Sequence, residues 1–217
     1  MVEVTLVDLH GSLVDTAAAK AWRSWPGVEL RGYTNITEIE TGPDVAFVSP
    51  ANSLGFMDGG IDLVLSRVMF PGVEARVKAA IAERGTTTLL GRPYLPIGEA
   101  VVVPAAPDGT RLVVAPTMWL PQDVRVTHNA YHATYAALRA ASEAQPPVRR
   151  LVFPGMTTGC GMVNSVIAVS MMAAAHADFE AGRPPQLDAA AIAAEQPTWY
   201  ENTEFKVIEP GAVVLHP

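Results

Sequence analysis

Two glycine-bearing loops hold the residues best suited to chemistry. The first breaks at Pro50 and carries Asn52, Asp58, Gly59, Gly60 and Asp62. The second runs Pro154-Gly155-Met156-Thr157-Thr158-Gly159-Cys160-Gly161. Each follows an apolar run and leads into helical periodicity; after Gly60, for example, Ile61, Val64, Leu65 and Val68 fall at i, i+3, i+4 and i+7. Glycine lets a backbone amide approach a ligand with no Cβ in the way. A helix start offers unpaired N–H groups and a partial positive charge, so each unit has the makings of an anion site. Two such loops meeting at the carboxyl ends of parallel strands would clamp both phosphates of one pyrophosphate. The plainer alternative is that the glycines serve tight turns. Asp58 reads as an N-cap or turn residue.

Three other patterns point elsewhere. Asp8, at the end of an apolar run, resembles the nucleophile of haloacid-dehalogenase-type magnesium phosphatases. That chemistry needs a second carboxylate two residues on, where His10 stands. His128 and His132 share a helix face at zinc-ligand spacing, but the intervening Glu is missing and no third ligand is evident. Cys160 lies in a loop that could lower a thiol pKa, yet it has no evident base partner and reads as a small loop residue.

The elements that must position these groups alternate between strand and helix. Strands are expected at residues 2–7, 28–33, 44–48, 95–103, 111–115 and 149–153. Helices are expected at 12–25 (with Leu13, Ala17, Trp22 and Trp25 buried), from 61 onward, and at 73–84, 124–143 and 163–179. Asp108-Gly109 marks a hairpin turn between the fourth and fifth strands. This order predicts an α/β fold, a three-layer α/β/α sandwich around a mixed, mostly parallel sheet. Residues 1–180 form the α/β domain. Residues 181–217 form a C-terminal appendage with a last strand at 205–208.

The chain has 217 residues, 49% of them hydrophobic, enough for one domain with a sizeable core. Its net charge of −7 argues against general binding to nucleic acid or an anionic membrane. Backbone amides can still hold a small anion locally. The single cysteine excludes an intrachain disulfide and a cysteine-based zinc cluster. No signal peptide or membrane span is read, and a reducing cytoplasm is the expected compartment.

In Ser49-Pro50-Ala51-Asn52 followed by Asp58-Gly59-Gly60-Ile61-Asp62, the chain resembles the macrodomain motif. Pro96-Ile97-Gly98-Glu99-Ala100 is similar to that family's Thr-Gly-Glu-Ala strand entry, and residues 153–161 to its second phosphate loop. The segments around Val114-Ala115-Pro116-Thr117-Met118-Trp119 and Asn129-Ala130-Tyr131 look like a bacterial and phage branch of the family. The resemblance covers about residues 28–179, in order.

The resemblance implies recognition of ADP-ribose or an ADP-ribosylated molecule, with no cofactor. It leaves open either a hydrolase (of ADP-ribosyl bonds or O-acetyl-ADP-ribose) or a non-catalytic reader or assembly module. By resemblance, Asn35 and Ile36 lie beside the adenine and Asn52 holds the terminal ribose. Gly59, Gly60 and Ile61 take one side of the pyrophosphate, and Thr157, Thr158, Gly159, Cys160 and Gly161 the other. Asp62, working with Asn52, places the attacking water. Asn35 stands for the family's aspartate, and its amide can still donate and accept. The aromatic expected after the second loop is absent, leaving Phe56 or Trp119 as stacking candidates. An aspartate in the first helical turn also stabilises the helix dipole by roughly 0.3–1 kcal/mol, so Asp62 has a structural reading too.

Overall fold

Strands buried on both faces carry apolar residues at nearly every position, and three strands here do so. β3 (Val45–Ser49), β5 (Arg111–Val114) and β6 (Arg150–Phe153) are buried almost throughout. In the computed structural model, which describes residues 2–183, they sit inside one six-stranded sheet of order β2-β1-β6-β3-β5-β4. The remaining strands are β1 (Glu3–Asp8), β2 (Val28–Gly32) and β4 (Val101–Pro104). All neighbours pair parallel except β4 and β5, which form the antiparallel edge hairpin.

Successive side chains alternate between two cores. Leu6, Ala46, Val48, Val113, Leu151 and Phe153 face one layer with α1 (Ala17–Trp22), α4 (Asn129–Glu143) and α5 (Ser165–Glu180). Val7, Phe47, Leu112, Val114 and Val152 face the other, against α2 (Gly60–Leu63), the π-helical turn Val64–Met69 and α3 (Val73–Glu83). The expected three-layer sandwich with a mixed, mostly parallel sheet is therefore present. The 205–208 strand and nearly all of the 181–217 appendage lie outside the described residues.

Several expected elements are shorter. The first helix begins at Ala17, not at residue 12, because Thr16 caps it by accepting from the Ala19 amide. Leu13 and Trp22 are buried as expected, but Ala17 is exposed and Trp25 is 39% exposed. Residues 95–100 are loop, so β4 begins at Val101. The fourth long helix begins at Asn129, not at 124.

At the end of the sheet opposite the glycine loops, Arg111 is buried and gathers three backbone carbonyls. Its guanidinium donates to Pro43 O at 3.1 Å, to Pro147 O at 2.9 Å and to Pro146 O. Lysine's three donors radiate from one nitrogen and do not reproduce the planar fork that reaches these carbonyls from two. Arg111→Lys should therefore lower unfolding free energy by about 1–3 kcal/mol in urea titrations. An unchanged midpoint and slope would show that the clamp contributes nothing.

Candidate functional site

In an open parallel sheet, loops leaving the carboxyl ends of the strands meet in a crevice where the connections diverge. Here β1 leads out to the edge strand β2, whereas β3 leads to the opposite half of the sheet. A crevice of about 830 Å³ lies over the carboxyl ends of β1, β6 and β3. Its lining includes the residues that the resemblance places at the adenine, the ribose, the pyrophosphate and the water: Asn35, Ile36, Asn52, Gly59, Gly60, Ile61, Asp62, Thr157, Thr158, Gly159, Cys160 and Gly161.

The first loop leaves β3 and turns into α2. Gly59 is the helix N-cap and makes no side-chain capping bond, so the open amides of the first turn are not satisfied by a cap. Asp58, expected as an N-cap or turn residue, is not the cap; it is an exposed lining residue. Among the described residues, no amide of Gly59, Gly60, Ile61 or Asp62 donates to another part of the chain. Gly60 has φ +55°, a left-handed conformation that favours glycine. The helix becomes a π-turn at Val64, which shifts the side-chain register. Val68, expected on the buried face, is instead 66% exposed, and Leu65 and Ser66 are the buried pair.

Asn52 shapes its own loop. Its Oδ1 accepts from the amides of Leu54 (3.1 Å) and Phe56 (3.3 Å), and its Nδ2 donates to Phe56 O at 2.8 Å. One Nδ2 hydrogen is left for anything else. The Phe56 that it places lines the crevice, and the Lys78 ammonium lies 4.5 Å from its ring centroid. Trp119, the other stacking candidate, is outside the lining and packs edge-on against Tyr94, with centroids 5.1 Å apart.

The second loop works differently. Its helix, α5, starts at Ser165 and is capped by Asn164, which accepts from Val166 N at 2.9 Å. The free donors are therefore loop amides, not a helix end. Among the described residues, the amides of Thr158, Gly159, Cys160 and Gly161 donate to no other part of the chain. The loop is tightly wound. Thr157 (φ 67°) and Met162 (φ 57°) take left-handed conformations unusual for side-chain-bearing residues. Gly161 has no room for a side chain, since a Cβ would meet Thr157 O at 2.4 Å.

Asp62 stands in the first turn of α2. The Ser49 hydroxyl, at the buried end of β3, donates to its Oδ1 at 2.6 Å. Burial of the carboxyl pushes its pKa up to about 7, against the lowering effect of the Ser49 bond. Asp8 holds its own loop: one oxygen accepts from His10 N at 3.1 Å and the other from Leu13 N at 2.6 Å. A carboxylate engaged at both oxygens is poorly placed as a phosphatase nucleophile. His128 and His132 are partly buried, and burial lowers both pKa values. Among the described residues, no group of three His, Cys, Asp or Glu is arranged to hold a metal. No helix among them is long and apolar enough to cross a membrane.

The architecture is similar to that of solved macrodomains. The macrodomain of Mycobacterium tuberculosis DarG superposes with a TM-score of 0.51 at 18% identity, covering 70% of this chain and 95% of that one. The Oceanobacillus iheyensis macrodomain solved with ADP gives 0.51 at 15% identity, covering 68% and 74%. Thermus aquaticus DarG gives 0.50 at 17%, covering 79% and 90%. The fold is that of the macrodomains. No family model matches the sequence. An uncharacterised protein of Aeropyrum pernix is 34% identical over 142 residues, 65% of this chain and 67% of its own. One of Aquifex aeolicus is 32% identical over 147 residues, 67% of this chain and 79% of its own. This chain belongs to one family with these two proteins.

Asp62 and Gly161 generate two stability predictions. Because the fold raises the Asp62 pKa, the folded protein binds this proton more tightly than the unfolded chain does. Stability associated with the group is therefore full below about pH 4 and is lost as pH rises to about 7. Asp62→Asn should be stabilising by on the order of 2 kcal/mol at pH 8, after discounting for partial solvent access, and nearly neutral at pH 4. Parallel stability–pH curves for the two proteins would refute this. Gly161→Ala should cost about 1–3 kcal/mol through overpacking, whereas Gly59→Ala, with nothing within 4 Å of the added Cβ, should leave the unfolding midpoint nearly unchanged.

Proposed function

We propose that the crevice binds ADP-ribose or a close derivative, with the pyrophosphate between the two amide-bearing loops. The observation that carries this reading is the pair of amide runs, Gly59 to Asp62 and Thr158 to Gly161, unpaired among the described residues and lining one cavity. Fixed backbone dipoles of this kind suit an anion on a protein whose net charge is −7, because they act locally without a basic patch. The macrodomain fold supports the choice of ligand; the Oceanobacillus iheyensis protein of that fold has been solved with ADP. In this reading Asn35 and Ile36 flank the adenine, Phe56 stacks on the terminal ribose, and Asn52 holds Phe56 and offers its remaining N–H to the sugar.

Asp62 is the group for hydrolysis. Its carboxylate takes a proton from a water whose oxygen bonds to the anomeric carbon, or in an O-acetyl ester to the acyl carbon, as the bond to the leaving group breaks. The leaving group departs with the bonding electrons and is protonated from solvent. A base with a pKa near the working pH balances availability against strength.

Calorimetry with ADP-ribose, ADP and AMP tests the binding. Measurable affinity is expected, weakened at least about tenfold by Gly59→Val, which fills crevice space without disturbing the fold. No heat with millimolar ADP-ribose would end this reading. With ADP-ribosylated protein or O-acetyl-ADP-ribose as substrate, kcat/KM should rise with pH and level off above about 7 as Asp62 ionises. Asp62→Ala should abolish turnover and keep binding. Tight binding with no turnover in the unaltered protein would leave a reader module.

A further inference from the structure

A third loop lines the crevice and has no part in the reading above. It leaves β1 at Asp8, in the sheet position between β2 and β6. It therefore lies between the Asn35-Ile36 turn that follows β2 and the wound loop that follows β6. Its backbone is held at several points. Asp8 accepts from the amides of His10 and Leu13, and Gly11 O accepts from Asp15 N at 3.0 Å. Gly11 has φ +74° and lies under the Tyr33 ring, where a Cβ would meet Tyr33 Cζ at 2.5 Å. Tyr33 in turn donates to Asp15 at 2.9 Å. Leu13 is buried and packs close to Gly155, so this loop is seated against the second glycine loop.

The two exposed side chains of this loop that line the crevice, Leu9 and His10, take no part in these fastenings. Among the described residues the His10 imidazole makes no hydrogen bond or ion pair. A ring held at the wall of an anion-suited crevice by a fastened backbone can donate to a phosphate or a sugar hydroxyl at little entropic cost.

We propose that His10 is a ligand-contacting residue that donates a hydrogen bond to the adenosine-phosphate half of the bound molecule, at its ribose or first phosphate. This assignment rests on the ADP-ribose reading, which places the adenine beside Asn35 and the pyrophosphate beside the second loop. His10 lies between the two. Leu9 adds apolar wall at the same end.

The test is calorimetry of the full chain and its His10→Ala and His10→Gln variants with ADP-ribose, AMP and ribose 5-phosphate. His10→Ala should weaken ADP-ribose and AMP by the same factor, about tenfold, and leave ribose 5-phosphate unchanged. His10→Gln, which keeps a donor, should recover much of the loss. Unfolding midpoints should not move, because the backbone of the loop and not the imidazole carries its fastenings. If ADP-ribose binds the unaltered protein and His10→Ala binds it equally well, the His10 assignment is overturned and the ADP-ribose reading stands. A matching loss for ribose 5-phosphate would also overturn it, by moving the contact to the other half of the ligand. No binding of ADP-ribose by the unaltered protein would overturn the underlying reading itself.

Discussion

The central strands are buried on both faces, and the site follows from that constraint. From Val45 to Ser49 every residue of β3 is buried, and β5 and β6 are nearly as dry. Such strands leave little room for polar chemistry along their length, so it concentrates where the chain emerges. Parallel pairing of β1, β6 and β3 puts three emergence points side by side. Ser49 shows the constraint at one residue. Its hydroxyl lies at the dry end of β3 and needs a partner, and the Asp62 carboxyl supplies it. That bond ties the start of α2 to the sheet and sets one wall of the crevice.

The two phosphate-loop candidates reach a similar result by different means. The first is an uncapped helix start with open space around Gly59. Its donors straddle the helix start, with Gly59 extended and Gly60 left-handed, and Gly59 leaves room for a ligand. The second is a wound loop whose helix is separately capped by Asn164. Its donors exist because Thr157 and Met162 hold left-handed conformations and Gly161 touches the Thr157 carbonyl. One loop is defined by space left open at Gly59 and the other by close packing at Gly155 and Gly161. Substitution should therefore affect function in the first and folding in the second.

The fold was largely legible because strands buried on both faces read as continuous apolar runs, and the turn residues between them are unambiguous. The residues around the crevice were legible through motif order, and the structure brings them to one cavity. What was missed depended on local hydrogen bonds that periodicity does not carry. Val68 fits a 3.6-residue repeat, yet one π-turn moves it to solvent. Thr16 starts α1 five residues later than the apolar pattern implies. Asn52 has the residue type of a sugar ligand, but most of its amide is spent on Leu54 and Phe56. The loop bearing His10 was read only as a failed phosphatase motif. Its neighbours in space, β2 and β6, are remote in sequence, and only the strand order reveals them.

Asp62 connects the stability of the fold to its chemistry. Burial opposes ionisation of the carboxyl, while the Ser49 hydroxyl favours it. The balance falls near neutrality, so both protonation states are populated at pH 7. A clamp made of backbone amides needs no such group, and an ionised carboxylate beside a pyrophosphate would repel it. The carboxyl is thus a cost to a pure binder, in stability when ionised and in affinity through repulsion. Beyond its bond with Ser49, it is useful where a proton must be accepted from water within the site. Under the ADP-ribose reading, that asymmetry favours hydrolysis over passive recognition.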